Sequence, residues 1–277
     1  MNPVNNIPIL SLGAGVQSSA MALMYACGEL MPMPHSAIFA DTGDEPRAVY
    51  EWLDWLEGKL PYPVYRVQKG ILSKDSLRVR VSKVTGKTYT QSQPPAYTRS
   101  SDGKPSGLLM RQCTTTHKLD PIYSMCWKVY RDERKRQPKA IVKIQMLIGI
   151  SVDEIIRMKP SRLQYVENIY PLIDANMRRS DCLSWMKKHN FPEPPRSACV
   201  FCPFHSNEEW LRIKAIPDDF AKAVQYEEAL QETLKRVDRY DGTAFLHPSL
   251  IPLSQVDFSK GVSLPLFANE CEGMCGV

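Results

Sequence analysis

The sequence predicts an α/β fold: a parallel twisted sheet with helices on both faces, followed by a cysteine-bearing C-terminal helical segment. Two observations predict it. Three short apolar runs, each the length of a buried strand, lie between residues 7 and 67. Apolar residues at helical spacing separate them. This β–α–β order implies parallel strands joined by right-handed crossovers, so helices cover the sheet.

Each element of this first part has its own signal in the sequence. The first strand is predicted at residues 7–12 and the first helix at 17–29. The second strand, at 37–40, precedes a helix that opens at Pro46, because proline is tolerated in the first helical turn. The third strand is predicted at 64–67.

The pattern changes after the third strand. Residues 69–110 are rich in Ser, Thr, Lys, Gly and Pro and predict a long mobile insertion. Later elements are predicted as helix 117–136, strand 140–150, helix 181–189 and helix 206–237, with irregular chain between them and in the last forty residues. The predicted division is a nucleotide-binding domain at 1–175, containing the insertion, and a helical, cysteine-rich segment with a reactive tail at 176–277.

The composition and the net charge indicate a globular domain that could bind an anionic ligand. The 277 residues are 43% hydrophobic and 23% charged, which is typical of a globular domain. The net charge of +5 suits an anionic ligand such as a nucleotide or nucleic acid. The N-terminus lacks the pattern of a signal peptide, and the longest apolar stretch, 20–27, is too short to span a bilayer. We therefore expect a cytoplasmic protein without a membrane partner.

The segment from Gly13 to Ser19 joins the first strand to the first helix. Glycines let the backbone approach a phosphate closely, and a helix N-terminus offers free N–H groups and a positive dipole end. Taken alone, the segment fits a tight turn with serine caps equally well.

A second polar turn follows the neighbouring strand. Asp41, Thr42 and Gly43 lie at its carboxyl end, where open α/β sheets bind ligands. A carboxylate there can hold a ribose hydroxyl or a magnesium ion. Asp44 or Glu45 is expected to cap the helix that begins at Pro46.

Several motifs in order resemble one family. Gly13 to Ser18 resembles the PP-loop of N-type ATP pyrophosphatases and phosphoadenosine phosphosulfate reductases, and Phe39 to Gly43 resembles that family's second motif. The similarity continues at Arg111 to Ile122, Gly149 to Glu154 with Arg157, and Tyr170 to Ile173. The PP-loop usually reads Ser-Gly-Gly-x-Asp-Ser, so Ala14 and Gln17 are departures. Gln17 removes a carboxylate that could help hold a metal.

The resemblance implies an adenine-nucleotide enzyme using ATP with Mg²⁺, or adenylyl sulfate or phosphoadenylyl sulfate (APS or PAPS) as substrate. It implies that Lys118 acts on the phosphates. The residues it assigns to the nucleotide are Ser11, Gly13, Ala14, Gly15, Gln17, Ser18, Ser19, Asp41, Thr42, Gly43, Gly149 and Arg157.

Eight cysteines in a reducing compartment indicate metal ligands, reactive thiols or buried core. Cys199 and Cys202 form a C-x-x-C pair, with Cys113 and Cys182 as further candidate ligands. The resemblance favours a [4Fe–4S] cluster on these four, with zinc as the alternative. A core role for Cys182 and a redox dithiol for the C-x-x-C pair stay open. Cys27 and Cys126 are predicted to be core.

The C-terminal tail carries Cys271 and Cys275 beside acidic residues. It resembles the Glu-Cys-Gly tail whose thiolate attacks sulfur in the family's reductases, so both cysteines are candidate catalytic residues. A tail cysteine that completes the cluster, and a disordered tail, are the alternatives.

The leading interpretation is an enzyme that adenylates an acceptor, nucleic acid among the candidates, for sulfur transfer with an iron–sulfur cluster. A cysteine desulfurase or a thioredoxin-like protein would be the thiol donor. The first alternative is a sulfonucleotide reductase that releases sulfite through Cys271. The second is a non-catalytic nucleotide- or nucleic-acid-binding protein. The oligomeric state is left open, and a homodimer is compatible with the sequence.

Overall fold

The structure is a computed structural model that describes residues 3–238 and 240–260. In chain order its elements are β1 (Val4–Ser11), α1 (Val16–Ala26), β2 (Ser36–Asp41), α2 (Arg47–Glu57), β3 (Val64–Gln68), α3 (Leu72–Ser76), β4 (Arg80–Val81), β5 (Thr88–Tyr89), β6 (Tyr97–Arg99), β7 (Pro105–Leu108), a π-helix (Thr114–Leu119), α4 (Asp120–Arg136), β8 (Ile141–Ile148), a 3-10 turn (Val152–Arg157), β9 (Val166–Ile169), α5 (Pro171–Asp174), α6 (Arg179–Lys188), α7 (Asn207–Lys214), α8 (Pro217–Leu234), β10 (Thr243–Phe245) and a 3-10 turn (Leu253–Gln255).

Five strands form the main sheet in the order β3-β2-β1-β8-β9, and every neighbouring pair is parallel. The longest pairing is between β1 and β8, in register from Val4 and Ile141 to Ser11 and Ile148. The predicted class, a parallel sheet with helices on both faces, is confirmed.

Alternation along the strands creates two cores. Ile7 and Ile9 of β1 face the core beneath α4, whereas Leu10 and Leu12 face the core formed with α1, α2 and α6. β2 and β8 alternate in the same way. Because successive side chains of a strand point to opposite faces, a sheet covered on both sides requires apolar residues at nearly every position.

The sheet has a topological switch point beside β1. The chain adds β2 and β3 on one side of β1, then crosses to add β8 and β9 on the other. The loops that leave β1 and β8 therefore diverge at the carboxyl edge of the sheet. Such a switch point is where open α/β sheets form a ligand crevice.

A third core joins the insertion to the C-terminal part of the chain. Leu72 and Ala96 pack there with residues of α7, α8 and β10. β10 also pairs antiparallel with β6, which pairs with β7. Residues 69–110 thus contain a helix and four short strands, rather than the irregular chain expected. These strands have only two to four residues, too few for a recognisable alternation, and β6 also pairs with β10, which is remote in sequence.

Two further elements differ from expectation. The helix predicted at 206–237 is two helices, because Pro217 lacks the N–H that would continue the first helix and instead begins α8. The fifth strand, β9, was not predicted, since Val166–Ile169 is short and half polar. Across the described ranges, no helix combines the length and apolar character needed to cross a membrane.

The two cysteines predicted to be core behave differently. Cys126 of α4 is fully buried, as predicted. Cys27 is exposed, so that prediction was wrong. The reason is that α1 ends at Ala26, which places Cys27 at the C-cap, beyond the helix's buried face.

Two identical substitutions in β8 test the sheet core. Ile144 is 0% exposed and Ile141 is 47% exposed. We expect Ile144→Ala to lower the free energy of unfolding by about 2–5 kcal/mol, because it leaves a cavity against α4. Ile141→Ala should cost less than about 1 kcal/mol. Urea unfolding measures both, and equal losses would contradict the assignment of the two positions.

Candidate functional site

The loop from Gly13 to Ser19 crosses from β1 to α1 at the switch point. The N–H of Gly13 donates to Ser18 Oγ at 3.2 Å, and Ser18 Oγ donates to the carbonyl of Gly15 at 3.3 Å. Ala14 has φ +60°, the left-handed region that favours glycine. Among the described residues, no side chain caps the start of α1. Its first-turn N–H groups are thus not taken by a capping side chain.

The loop after β8 approaches this backbone closely. A β-carbon at Gly149 would lie 2.9 Å from the backbone nitrogen of Ser18 and 3.0 Å from its α-carbon. Only glycine allows the strand end and the loop to touch at this distance. Gly149 therefore contributes to the shape of the Gly13–Ser19 loop through this backbone contact with Ser18.

Gln17 links the same two loops. Its Nε2 donates to Ser151 Oγ at 3.3 Å and to Glu154 Oε2 at 3.2 Å. Glu154 in turn forms an ion pair with Arg157 at 2.7 Å. The side chain at the position of the family's aspartate is therefore buried and holds the two loops together. Arg157 lies at this junction, paired with Glu154.

Other residues predicted to bind nucleotide have structural partners. Ser19 is fully buried and accepts a hydrogen bond from Trp52 Nε1 at 3.0 Å. Ser11, the last residue of β1, is also buried. These two serines fix the ends of the loop against the sheet and α2.

The turn after β2 is held by its own side chains. Asp41 Oδ1 accepts from the N–H of Gly43 at 2.7 Å and from the hydroxyl of Tyr50 at 2.9 Å. Burial, then the Asp41 charge, raises the pKa of Tyr50 well above its ordinary value, so the phenol stays a donor. Asp41 is only half-buried and lies at the carboxyl edge.

Asp44, one of the two residues expected to cap the helix after Pro46, has other partners. Asp44 instead accepts from the N–H of Ser73 at 2.6 Å and pairs with Lys222 of α8 at 2.7 Å. It thus caps α3 and anchors α8. Pro46 itself is the N-cap of α2, and the N–H of Arg47, the first residue of that helix, donates to Asp219 Oδ2 of α8 at 3.1 Å.

The C-x-x-C pair is attached to this same turn. The N–H of Val200 donates to the carbonyl of Asp44 at 2.9 Å, and the Cys202 N–H donates to the Cys199 carbonyl at 2.9 Å. Cys199 Sγ lies 3.3 Å from Thr42 Oγ1. The C-x-x-C turn therefore lies on the carboxyl edge of the sheet, the same edge as the Gly13–Ser19 loop.

Three cysteines surround one small pocket together with Lys118. Its lining consists of Leu72, Pro94, Pro95, Cys113, Thr114, Lys118, Cys199, Phe201 and Cys202. Burial and then the Glu45 charge hold the pKa of Cys199 well above its ordinary value, while the Lys118 charge lowers it. The Lys118 charge thus favours the Cys199 thiolate, whereas burial and the Glu45 charge favour the protonated thiol.

Lys118 lies in the π-helix Thr114–Leu119, which precedes α4. Such wide turns are rare and occur frequently at functional sites. In the preceding position, His117 is buried, with Nε2 3.0 Å from Asp75 Oδ2. This contact ties the π-helix to α3.

Cys182 lies apart from the other three candidate ligands. It belongs to the core between α6 and α1, and burial raises its pKa to about 12. Within residues 3–238 and 240–260, no three or more His, Cys, Asp or Glu side chains are grouped so that they could hold a metal ion. The side chains as placed do not fit the four-cysteine cluster or a zinc site on those residues. The core role of Cys182, one of the alternatives above, matches its surroundings.

Some pocket residues were not singled out from the sequence. Pro94 and Pro95 belong to the insertion, and Phe201 is one of the two residues between the paired cysteines. No local signal links residue 94 to residue 199, because their proximity depends on the third core. Cys271 and Cys275 lie outside the described residues, so their catalytic assignment stays a prediction.

Comparisons with known proteins add little to this geometry. No family model and no curated protein matches the chain. Among solved structures, the chain is similar to a phosphoadenylyl-sulfate (PAPS) reductase from Candida auris, determined as a phosphate complex. The two are 12% identical with a TM-score of 0.37, and the match covers 70% of this chain and 75% of that one. A likeness this weak carries no argument about activity.

The contact between Gly149 and Ser18 can be tested by adding one methyl group. We expect Gly149→Ala to lower the free energy of unfolding by about 1–3 kcal/mol, because backbone must move to admit the β-carbon. Gly58→Ala is the matched control, since its β-carbon would meet its nearest atom at an ordinary 3.4 Å. Chemical denaturation measures the free energy of unfolding of both variants. A Gly149→Ala variant as stable as Gly58→Ala would refute the close approach of Gly149 to Ser18.

The buried thiol of Cys182 predicts a pH dependence of stability. The folded pKa of about 12 exceeds the ordinary value of 9.0, so the folded state keeps a proton that the unfolded state loses. The contribution of this protonated thiol to the free energy of unfolding is complete below pH 9, and it is lost as the pH rises toward 12. Cys182→Ala should therefore show a shallower loss of stability over that range than the wild type. Cys27→Ala, at an exposed position, should change the slope less; the reverse order would show that Cys182 is not buried.

Proposed function

We propose that this chain is a PP-loop enzyme that uses an adenine nucleotide to activate an acceptor for thiol-dependent sulfur transfer. The observation that carries the proposal is the contact between Cys199 Sγ and Thr42 Oγ1, 3.3 Å apart. It places the C-x-x-C turn on the sheet edge that also carries the Gly13–Ser19 loop. A nucleotide bound at the loop and a thiol at the neighbouring turn would share one crevice.

The loop would bind the nucleotide through its backbone. The N-terminus of α1 presents N–H groups and a positive dipole end, both suited to phosphate oxygens. Asp41 is the half-exposed carboxylate at this edge that could hold a ribose hydroxyl or Mg²⁺. Gly149 and Gln17 would position the loop without contacting the phosphates.

The proposed reaction has two steps. An acceptor oxygen attacks the α-phosphate of ATP, which forms an adenylate and releases pyrophosphate. A sulfur nucleophile then attacks the carbon that bears the adenylate, and AMP leaves with the former acceptor oxygen. Lys118 would stabilise negative charge developing on the phosphates or on a thiolate. The sulfur would come from an external thiol donor as a persulfide, so the second step leaves a disulfide between the acceptor sulfur and the donor. A second thiol of the donor would then attack the donor's sulfur, which releases the acceptor as a thiolate and leaves the donor as a disulfide. None of this uses a metal cluster.

Nucleotide binding without turnover is the second candidate. Gln17 replaces the family's aspartate, and its amide is engaged by Ser151 and Glu154. This arrangement gives the loop a fixed shape but supplies no carboxylate for a metal at that position. Turnover therefore has to be measured separately from binding.

The experiment combines ATP binding by calorimetry with pyrophosphate release in the presence of candidate acceptors. We expect ATP to bind, and Lys118→Met to keep binding while slowing pyrophosphate release on the order of 100-fold, the loss typical of removing a preorganised charge. Lys187→Met, on the exposed end of α6, is the control and should have no effect.

Other outcomes separate the alternatives. Sulfite release from adenylyl sulfate with thioredoxin, and no pyrophosphate from ATP, would replace the proposal with sulfonucleotide reduction. Binding of ATP without either product would leave the non-catalytic alternative. Failure to bind either nucleotide would refute the assignment of the loop.

A further inference from the structure

A groove of about 850 Å³ follows α4 on the outside of the sheet. Its walls come from the end of β3, from the first half of α4 and from the chain that leads into β9. The aromatic side chains that line it are Tyr123, Trp127 and Tyr165. The mechanism proposed above does not use any of these three.

Trp127 and Tyr165 form an aromatic cluster with Tyr130 beside the groove, in which Tyr130 stacks on Trp127 and Tyr165 meets Trp127 edge-on. The ring centroids of Trp127 and Tyr130 are 5.5 Å apart, those of Trp127 and Tyr165 are 5.2 Å apart, and those of Tyr130 and Tyr165 are 4.7 Å apart. Trp127 is nevertheless 48% exposed. A large ring held by two neighbours, with a free face, is a preformed platform for another planar group.

Cations extend along the helix from this platform. Lys128, Arg131 and Lys135 follow one another at i, i+3 and i+7, which places them on one face of α4. All three are exposed, and none forms an ion pair with another residue of the described chain. Between residues 127 and 136 there are five Lys or Arg residues and two acidic ones, so the face has an excess of positive charge.

The other end of the groove reaches the proposed nucleotide site. Gln68 lines the groove and is the register partner of Asp41. Lys69, the next residue, also lines it and pairs with Asp120 at 2.6 Å. The groove thus starts beside the Asp41–Gly43 turn and runs toward the cations of α4.

We infer that this groove binds single-stranded nucleic acid, with bases stacked on Trp127 and phosphates along Lys128, Arg131 and Lys135. The inference rests on the proposed function in one respect: it gives the acceptor its chemical class. A ring platform next to regularly spaced cations matches the alternation of planar bases and anionic phosphates. An acidic protein would use the cations but not the free aromatic face.

The test uses a fluorescein-labelled single strand of about 12 nucleotides, within the usual site size, as RNA and as DNA. Anisotropy is measured on the full chain without nucleotide. We expect Trp127→Ala to weaken binding by about tenfold and Trp127→Phe to retain most of it. The Lys128→Glu/Arg131→Glu double variant should weaken binding further and reduce the slope of log affinity against log salt by about 1.

The matched control is the Lys187→Glu/Lys188→Glu double variant, which reverses two exposed charges on α6. It should bind like the wild type. Equal loss in this control, unchanged binding in the α4 double variant, or displacement of the strand by poly-glutamate at equal charge concentration would overturn the inference. If Trp127→Ala does not fold, the comparison between the α4 double variant and the α6 double variant still tests the inference.

ATP binding measured on the same preparations keeps the two proposals separate. Loss of strand binding with unchanged ATP affinity in the α4 variants supports the groove as a distinct acceptor site. Strand binding by a wild-type chain that does not bind ATP would retain the groove and refute the proposed function. A wild-type chain that binds ATP but neither RNA nor DNA would refute the groove as a nucleic-acid site and leave the proposed nucleotide site standing.

Discussion

The carboxyl edge of the sheet depends on the contact between Gly149 and the backbone of Ser18. β1 and β8 are the longest-paired strands of the molecule, and the loops that leave them diverge only after this point. The absence of a side chain at 149 allows the first turn of α1 to lie directly against the end of β8. Gln17 then secures the junction through Ser151 and Glu154. The shape of the Gly13–Ser19 loop is therefore set by two strands and one shared contact.

The C-x-x-C turn depends on a second junction, the turn after β2. Asp44 is the centre of it, because its carboxylate holds α3 and Lys222 of α8, while its carbonyl holds Val200. One buried residue thus joins the main sheet, the insertion and the C-terminal helices. This explains how Cys199, 157 residues from Thr42 in the chain, comes to contact it.

Four of the five strands of the main sheet could be predicted from local patterns, since buried parallel strands are continuous apolar runs, and only the short, half-polar β9 could not. The positions of the Gly13–Ser19 loop and of the turn at Asp41 followed from the same patterns, because both lie where a predicted strand ends. The short strands of residues 69–110 could not be predicted, because each has only two to four residues and β6 also depends on pairing with residues 243–245. The role of Asp44 was missed for the same reason: its partners, Ser73 and Lys222, are distant in sequence. Cys182 was grouped with Cys113, Cys199 and Cys202 by residue type, whereas helix α6 carries it into a different core.

The pairing of β6 with β10 affects how the molecule is completed during synthesis. All five strands of the parallel sheet have left the ribosome once residue 169 has emerged, so that sheet can assemble while translation continues. The pocket around Cys199 cannot, because the third core still lacks α8 and the strand at 243–245. A nascent chain would therefore have its Gly13–Ser19 loop in place before the thiols around Cys199 are enclosed. During that interval Cys113, Cys199 and Cys202 stay accessible to whatever reacts with thiols in the surrounding solution.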